Sequence, residues 1–358
     1  MINICETKAM QAVVYEGPFS ISVKEQPKPV ILAESDAILK VQVTGICGSD
    51  LHMYRGHQKT TTGHTMGHEF IGIVEDIGSE VSRFKVGQRV MPIFSPMCMN
   101  CWFCEHGYTN RCTNGPSFGS MALNVGQSEY VRVPYAESTL EAIPDEVSPE
   151  QMIIMCDIFP TGYYGAMKAL MKLKNGRETA ESIVGGTLYA PSVLQPSFKQ
   201  QPLILGNGTV YAVDSVEDRL EEARKMGAIP LNLDTDDIPA IVKSVTGGRG
   251  ADAVVESVGN QAALKLAFDV VRPCGVISSI GFHQSGFPFT GFEAYSKNID
   301  INMGRAAVRP VFGEGLKVFA ENQDKFADFI THRMPLAEAP KAYEIFEKRQ
   351  ARKVVLTL

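Results

Sequence analysis

The sequence predicts an α/β protein of two domains, an irregular β-rich one and a doubly wound parallel sheet. Three observations carry this expectation. The chain has 358 residues, enough for about two domains. Residues 10–45 alternate apolar and polar side chains between Gly and Pro turns, the pattern of half-buried strands. From residue 209 onward, short apolar strands alternate with helical segments, the pattern of crossover-linked parallel strands.

In chain order, "QAVVYEG", "FSISVKE" and "DAILKVQVTG" read as strands, and "EFIGIVEDIG" and "GQRVMPIF" extend the β-rich region. At "TGYYGAMKALMKL" the pattern turns helical. The strand "TVYAVDS" follows, then the helix "VEDRLEEARKMGA", the segment "IPLNL" and the helix "DDIPAIVKSVTG". Next come the strand "ADAVVESVG", the helix "NQAALKLAFDVV" and the strand "GVISSIGF". The tail "PLAEAPKAYEIFEKRQARKVVLTL" reads as a helix followed by a strand. No internal repeat or low-complexity tract interrupts the order.

Composition narrows the function. Hydrophobic residues at 44% and charged residues at 21% describe an ordinary globular chain. A formal charge of -6 argues against general affinity for nucleic acid or an anionic membrane. No apolar run approaches the roughly 20 residues that cross a bilayer. The start, "MINICETKAMQAVVYEG", lacks the basic head and apolar stretch of a secretory signal. A cytoplasmic, reducing location is therefore expected. There, eight cysteines point to metal ligands or buried thiols rather than disulfides.

Four of them, Cys98, Cys101, Cys104 and Cys112, form "CMNCWFCEHGYTNRC", a C-x2-C-x2-C-x7-C spacing. Four thiolates at such spacing surround a tetrahedral Zn2+ with no open position, a structural site. Free thiols on a surface loop are the plainer reading. A zinc ribbon for DNA is a third, and the acidic balance counts against it. A second constellation is spread over "GICGSDLH", "GHTMGHEFIGIVEDIG" and "MCDIFPTGY". Cys47, His68 and Asp157 offer a thiolate, an imidazole and a carboxylate. Three protein ligands and one open position make a catalytic zinc. Singly, each has another reading: a small buried hydrophobe, a satisfied structural histidine, and a cap for the helix near Thr161.

These motifs, in this order and over nearly the whole chain, resemble the zinc-containing medium-chain alcohol dehydrogenases. "CDIFPTGY" is most similar to the formaldehyde-dehydrogenase-like branch, which has Asp as third zinc ligand; the neighbouring Cys156 is one step out of register. The resemblance implies a GroES-like catalytic domain (1–160 and 305–358) and a Rossmann domain (161–304). It implies two Zn2+ per chain, NAD, and hydride transfer between NAD and a small alcohol or aldehyde hydrate. It implies a proton relay from Ser49 to His52, a Glu69 beside the metal, and an Asp50 that orients His68. Capping of "SDLHMYRG" by Ser49 or Asp50 is compatible with those roles. His57 and His64 are expected on the surface or in support. A homodimer or homotetramer is also implied, with pairing through "CGVISSIGF".

On the cofactor side, Asp214 closes a strand and is expected to take the ribose hydroxyls, favouring NAD over NADP. It also suits the cap of the next helix. Arg219 lies on that helix, and Val258, Gly259, Ile280 and Gly281 follow strands at the sheet's carboxyl edge. By resemblance Arg352 pairs with the pyrophosphate, with Lys353 as the alternative. The expected glycine turn is missing. A forced match places Thr187 where a glycine belongs and Pro196 inside the following helix. An altered reading frame or splice junction between about Gly185 and Leu205 would explain this, as a transcript sequence would test. The competing expectation is therefore a catalytically impaired zinc-binding relative or a mis-spliced product.

Overall fold

The computed structural model describes residues 9–358 except 59, 124, 145–146, 148–149, 173–181 and 186–208. Thr187, Pro191, Pro196 and the rest of the irregular glycine segment lie outside the described residues. Contacts divide the chain into two units: residues 1–158, 308–310 and 326–358, and residues 159–307 and 311–325. The stretch 311–325, grouped with the catalytic domain on sequence, clusters with the second unit.

The first unit is β-rich, as its alternating pattern requires. Ala9–Gly17 pairs with Ser20–Pro27 and with His64–Thr65. A larger sheet runs His332–Pro335, Val354–Thr357, Ala37–Ile46, Glu69–Ile77, Arg89–Pro92 and Leu140–Ala142, and Tyr130–Val133 also pairs with Ala37–Ile46. Alternate side chains of these strands, among them Leu39, Phe70, Val90 and Val131, fill a core. Each such large side chain, fully buried, contributes about 1.5–3 kcal/mol. Two registers position the site. Gly45 lies opposite Glu69, and Ile46 opposite Val354, both in antiparallel pairs. The residues just beyond these strand ends are Cys47, His68 and Lys353.

The second unit carries a parallel sheet in the spatial order Ile229–Asn232, Val210–Asp214, Ser182–Gly185, Ala251–Glu256, Val271–Ser279, Asp300–Met303. Numbered along the chain, this is 3-2-1-4-5-6, the Rossmann order. Glu217–Lys225, Ile238–Val245 and Gln261–Val270 are helices; the last two start at side-chain caps, whereas Glu217–Lys225 has none and Asp214 stops short of capping it, at the Ser215 and Val216 N–H groups. Asp237 accepts the Ala240 N–H at 3.1 Å, and Asn260 that of Ala263 at 2.8 Å. Val271–Ser279 lies inside the sheet, between Ala251–Glu256 and Asp300–Met303. It therefore has no free edge, which corrects the expected pairing through "CGVISSIGF". Asp300–Met303 is the edge. The helix expected near Thr161 spans Ile158–Met171, with Pro160 in its first turn, where the missing N–H is tolerated. Among the described residues, no helix is long and apolar enough to cross a membrane.

Candidate metal centres and cofactor edge

The antiparallel pairing of Ala37–Ile46 with Glu69–Ile77 brings Cys47, at the end of one strand, beside His68, at the start of the other. Asp157 sits at the joint between the helices Ile153–Cys156 and Ile158–Met171. Its Oδ2 is 3.8 Å from Cys47 Sγ and 3.3 Å from His68 Nε2. With Glu69, one donor atom from each residue lies within 4.8 Å of all the others. Glu69 is fully buried, and its Oε1 has no hydrogen-bond partner among the described residues. A thiol, an imidazole and two carboxyls converging, His68 and Glu69 buried and Cys47 and Asp157 half-buried, with one buried oxygen left without a donor among the described residues, fit a divalent zinc.

The electrostatics agree with this fit. Burial disfavours the His68 imidazolium, but Asp50, Asp157 and Cys47 outweigh it and hold its pKa well above the usual value. Burial and the Glu69 charge push the Cys47 thiol up. The negative charge gathered around these donors favours a cation among them, and zinc binding there would release protons. Asp50 faces His68 Nδ1 at 3.3 Å and accepts the Cys47 N–H at 2.9 Å. It orients the ring so that Nε2 faces Asp157. Ser49 stands at the start of the helix Asp50–Tyr54 but makes no side-chain cap; its Oγ lies 3.3 Å from His68 Nε2. His52, on that helix, is half-buried, and burial, then Arg55 and His57, lower its pKa. His57 is exposed. His64 is buried and reaches the Gly119 carbonyl at 2.9 Å, so it supports the loop. Cys156 is buried against the Phe70 carbonyl at 3.5 Å, outside the cluster.

Sequence reasoning missed the pair behind the cluster. Lys353 is fully buried; its Nζ bonds Glu69 and donates to the Ile46 carbonyl at 3.1 Å. Burial works against its charge, and Glu69 more than restores it. This corrects Lys353 as an alternative pyrophosphate contact, because its charge is spent on Glu69. Gly45 makes room for the pair, since a Cβ there would lie 2.5 Å from Glu69 Oε2 and 3.0 Å from Lys353 Nζ. Lys353→Met should leave Glu69 buried without its cation. A cost of about 3–5 kcal/mol is expected, read as a lower urea midpoint at unchanged slope.

The four-thiol lobe is built locally. Cys101 precedes the short helix Trp102–Glu105, which carries Cys104, and the turn Thr109–Arg111 delivers Cys112. The four sulfurs lie within 4.8 Å of one another, and Cys98 and Cys112 are 3.5 Å apart. Sulfurs about 2.3 Å from a tetrahedral zinc stand about 3.8 Å apart, so the cluster fits one. Backbone N–H groups of Thr113 and Cys104 draw Cys101 down to about 6, whereas burial pushes Cys104 up to about 12. Cys101 is ready as a thiolate, and Cys104 needs the metal to give up its proton.

In the second unit, the Asp214 carboxylate ends its strand and accepts the N–H groups of Ser215 at 2.8 Å and Val216 at 3.0 Å. Its other oxygen is 3.4 Å from Arg219 Nη1. Val258, Gly259, Ile280 and Gly281 follow the fourth and fifth strands at the carboxyl edge, beside the point where strand order reverses. Gly259 has φ +79°, and a Cβ there would meet Phe282 N at 2.5 Å. Two turns approach backbone to backbone, as a dinucleotide crevice requires. Arg352 is half-buried in the first unit, where its Nη2 donates to the Asp328 carbonyl at 2.8 Å.

A β-rich unit with two candidate zinc centres, in one chain with a Rossmann unit, points to a class, the zinc-dependent oxidoreductases. Comparison with known proteins makes it specific. Residues 33–145 match the Alcohol dehydrogenase GroES-like domain family, and residues 203–320 the Zinc-binding dehydrogenase family. Zinc-type alcohol dehydrogenase B of Aspergillus flavus is 39% identical over 352 residues, 97% of this chain and 81% of that one. The solved alcohol dehydrogenase of Thermus sp. ATN1 superposes with a TM-score of 0.88 at 34% identity, over 98% of this chain and 100% of that one. The chain belongs to the zinc-containing medium-chain alcohol dehydrogenase family and is a zinc-dependent oxidoreductase of alcohols. The glutathione-independent formaldehyde dehydrogenase of Bacillus subtilis is 29% identical over 405 residues, 97% of this chain and 96% of that one. That relative is thus more distant than zinc-type alcohol dehydrogenase B. The impaired-relative alternative draws no support from these proteins.

Proposed function

We propose that Cys47, His68 and Asp157 hold the catalytic zinc of this alcohol dehydrogenase, with Glu69 beside it. Cys98, Cys101, Cys104 and Cys112 hold a second, structural zinc. The convergence of four donor atoms within 4.8 Å, one from each of Cys47, His68, Glu69 and Asp157, carries this reading. When bound, zinc supplies Lewis acidity at the substrate oxygen and NAD accepts the hydride. The chain's own residues do the rest. Ser49 Oγ, 3.3 Å from His68 Nε2, takes the substrate's hydroxyl proton. His52, its pKa lowered by burial, is neutral at pH 7 and is the relay's final acceptor. Asp50 holds the His68 ring, and Lys353 holds Glu69 in place and opposes the burial that pushes its carboxyl pKa up.

Cofactor contacts fall to Asp214, Arg219, Val258, Gly259, Ile280, Gly281 and Arg352, with residues 161–304 as the cofactor domain and 1–160 with 305–358 as the catalytic one. The substrate is a small alcohol or aldehyde hydrate. The protein works in the cytoplasm as a homodimer or homotetramer, with the edge strand Asp300–Met303 available for pairing. Alcohol-dependent NADH formation that a chelator abolishes and zinc restores is the test. No NADH formation by zinc-replete protein across small alcohols and aldehydes would sink the proposal.

Asp214 also sets the choice of dinucleotide. Its carboxylate repels a 2′-phosphate, and Asp214→Ala would release Arg219 to meet one. The ratio of kcat/KM for NADP over NAD should rise at least about tenfold. The two N–H groups left without Asp214 would cost about 1 kcal/mol of stability. An unchanged ratio would contradict the assignment.

A further inference from the structure

We infer that His283 is a positioning residue for the nicotinamide cofactor, acting through Glu256 on the two turns that form the cofactor edge. The inference rests on the NAD-linked reading above. Glu256 is the last residue of the fourth strand and lies opposite Gly185 of the first and Ser279 of the fifth. It therefore stands where strand order reverses, the point at which such sheets bind dinucleotides.

Its carboxylate is only 2% exposed, so it must be satisfied internally. Oε1 accepts the N–H groups of Val258 at 2.8 Å and Gly259 at 2.7 Å. Oε2 accepts the Ser279 hydroxyl at 2.7 Å and meets His283 Nε2 at 2.8 Å. His283 Nε2 is also 2.9 Å from Ser279 Oγ. Facing a carboxylate, Nε2 donates its proton. The Glu256 carbonyl accepts the N–H groups of Ile280 at 2.8 Å and Gly281 at 3.3 Å. One residue thus binds both turns, and His283 ties the chain beyond the second turn back to it.

The turns also touch each other directly. A Cβ on Gly281 would lie 2.2 Å from Gly259 N, so they meet as bare backbone. Ser279 belongs to the strand and stays in place without His283. Losing the imidazole removes the bond that ties His283 to Glu256, and the edge proposed to meet the nicotinamide end loses that constraint.

The test is NADH affinity, read from the change in NADH fluorescence on titration, together with KM for NAD and kcat. His283→Ala should weaken NADH about tenfold and raise KM for NAD similarly, as for one lost hydrogen bond to a charged group. Zinc content and kcat should stay near wild type. His283→Gln, whose amide N–H can still reach Glu256, should restore most of the affinity. His283→Leu fills the space without a donor and should behave like the alanine variant, also serving if that variant does not fold. Unchanged NADH affinity in the Ala and Leu proteins, whatever their melting temperatures, would overturn the inference and leave the NAD reading standing. Wild-type protein that fails to bind NADH would overturn both.

Discussion

Asp157→Ala protein is expected to keep its fold and its four-thiol zinc while losing alcohol turnover by more than about 100-fold. The magnitude follows from what the side chain touches. Removing a group that merely orients a zinc ligand costs about 10–100-fold. Asp157 Oδ2 lies directly against Cys47 Sγ and His68 Nε2. Without it, a cation there would keep one thiolate and one imidazole, with Glu69 engaged by Lys353. The fold should tolerate the change, because the Asp157 side chain is 17% exposed and stands at a joint between helices. Steady-state rates and a circular dichroism melt decide it. A variant within a few-fold of wild-type turnover would remove Asp157 from the site.

Cys104→Ser should act on stability instead. Cys104 is the buried member of the four-thiol cluster, and burial keeps its proton on until a metal replaces it. Structural zinc contributes about 10–16 kcal/mol in small zinc-bound peptides. Here a body of strands supports the lobe, so only part of that should be lost. A loss of about 4 kcal/mol would lower the melting temperature by about 8–16 °C. Chelation of wild-type protein should reproduce the drop, with one zinc retained or lost independently at the other centre. A melting temperature unmoved by Cys104→Ser would leave the four thiols without a structural metal.

The legible parts of this protein were those encoded over short stretches or by periodicity. The C-x2-C-x2-C-x7-C spacing closes on itself within one lobe, so sequence alone located it. Cys47, His68 and Asp157 were readable because each sits in a motif at a strand or helix end, although register alone brings the first two together. Alternating strands and helices announced the parallel sheet. What stayed hidden depends on distant partners. Nothing near Lys353 signals that it meets Glu69, 284 residues away. The edge strand follows from the full strand order, and so "CGVISSIGF", expected to pair between subunits, lies inside the sheet instead. Ser49 has the composition of a helix cap, yet its hydroxyl faces His68. The Glu256–Ser279–His283 network spans three sequence segments and has no spacing signature.

The most direct measurement is zinc per chain in wild-type and Cys47→Ser protein after exhaustive dialysis. Wild type should hold two equivalents and the variant one, the survivor held by the four-thiol lobe and lost on Cys104→Ser. A wild type with a single equivalent, or a Cys47→Ser protein that still holds two, would contradict the two-zinc assignment.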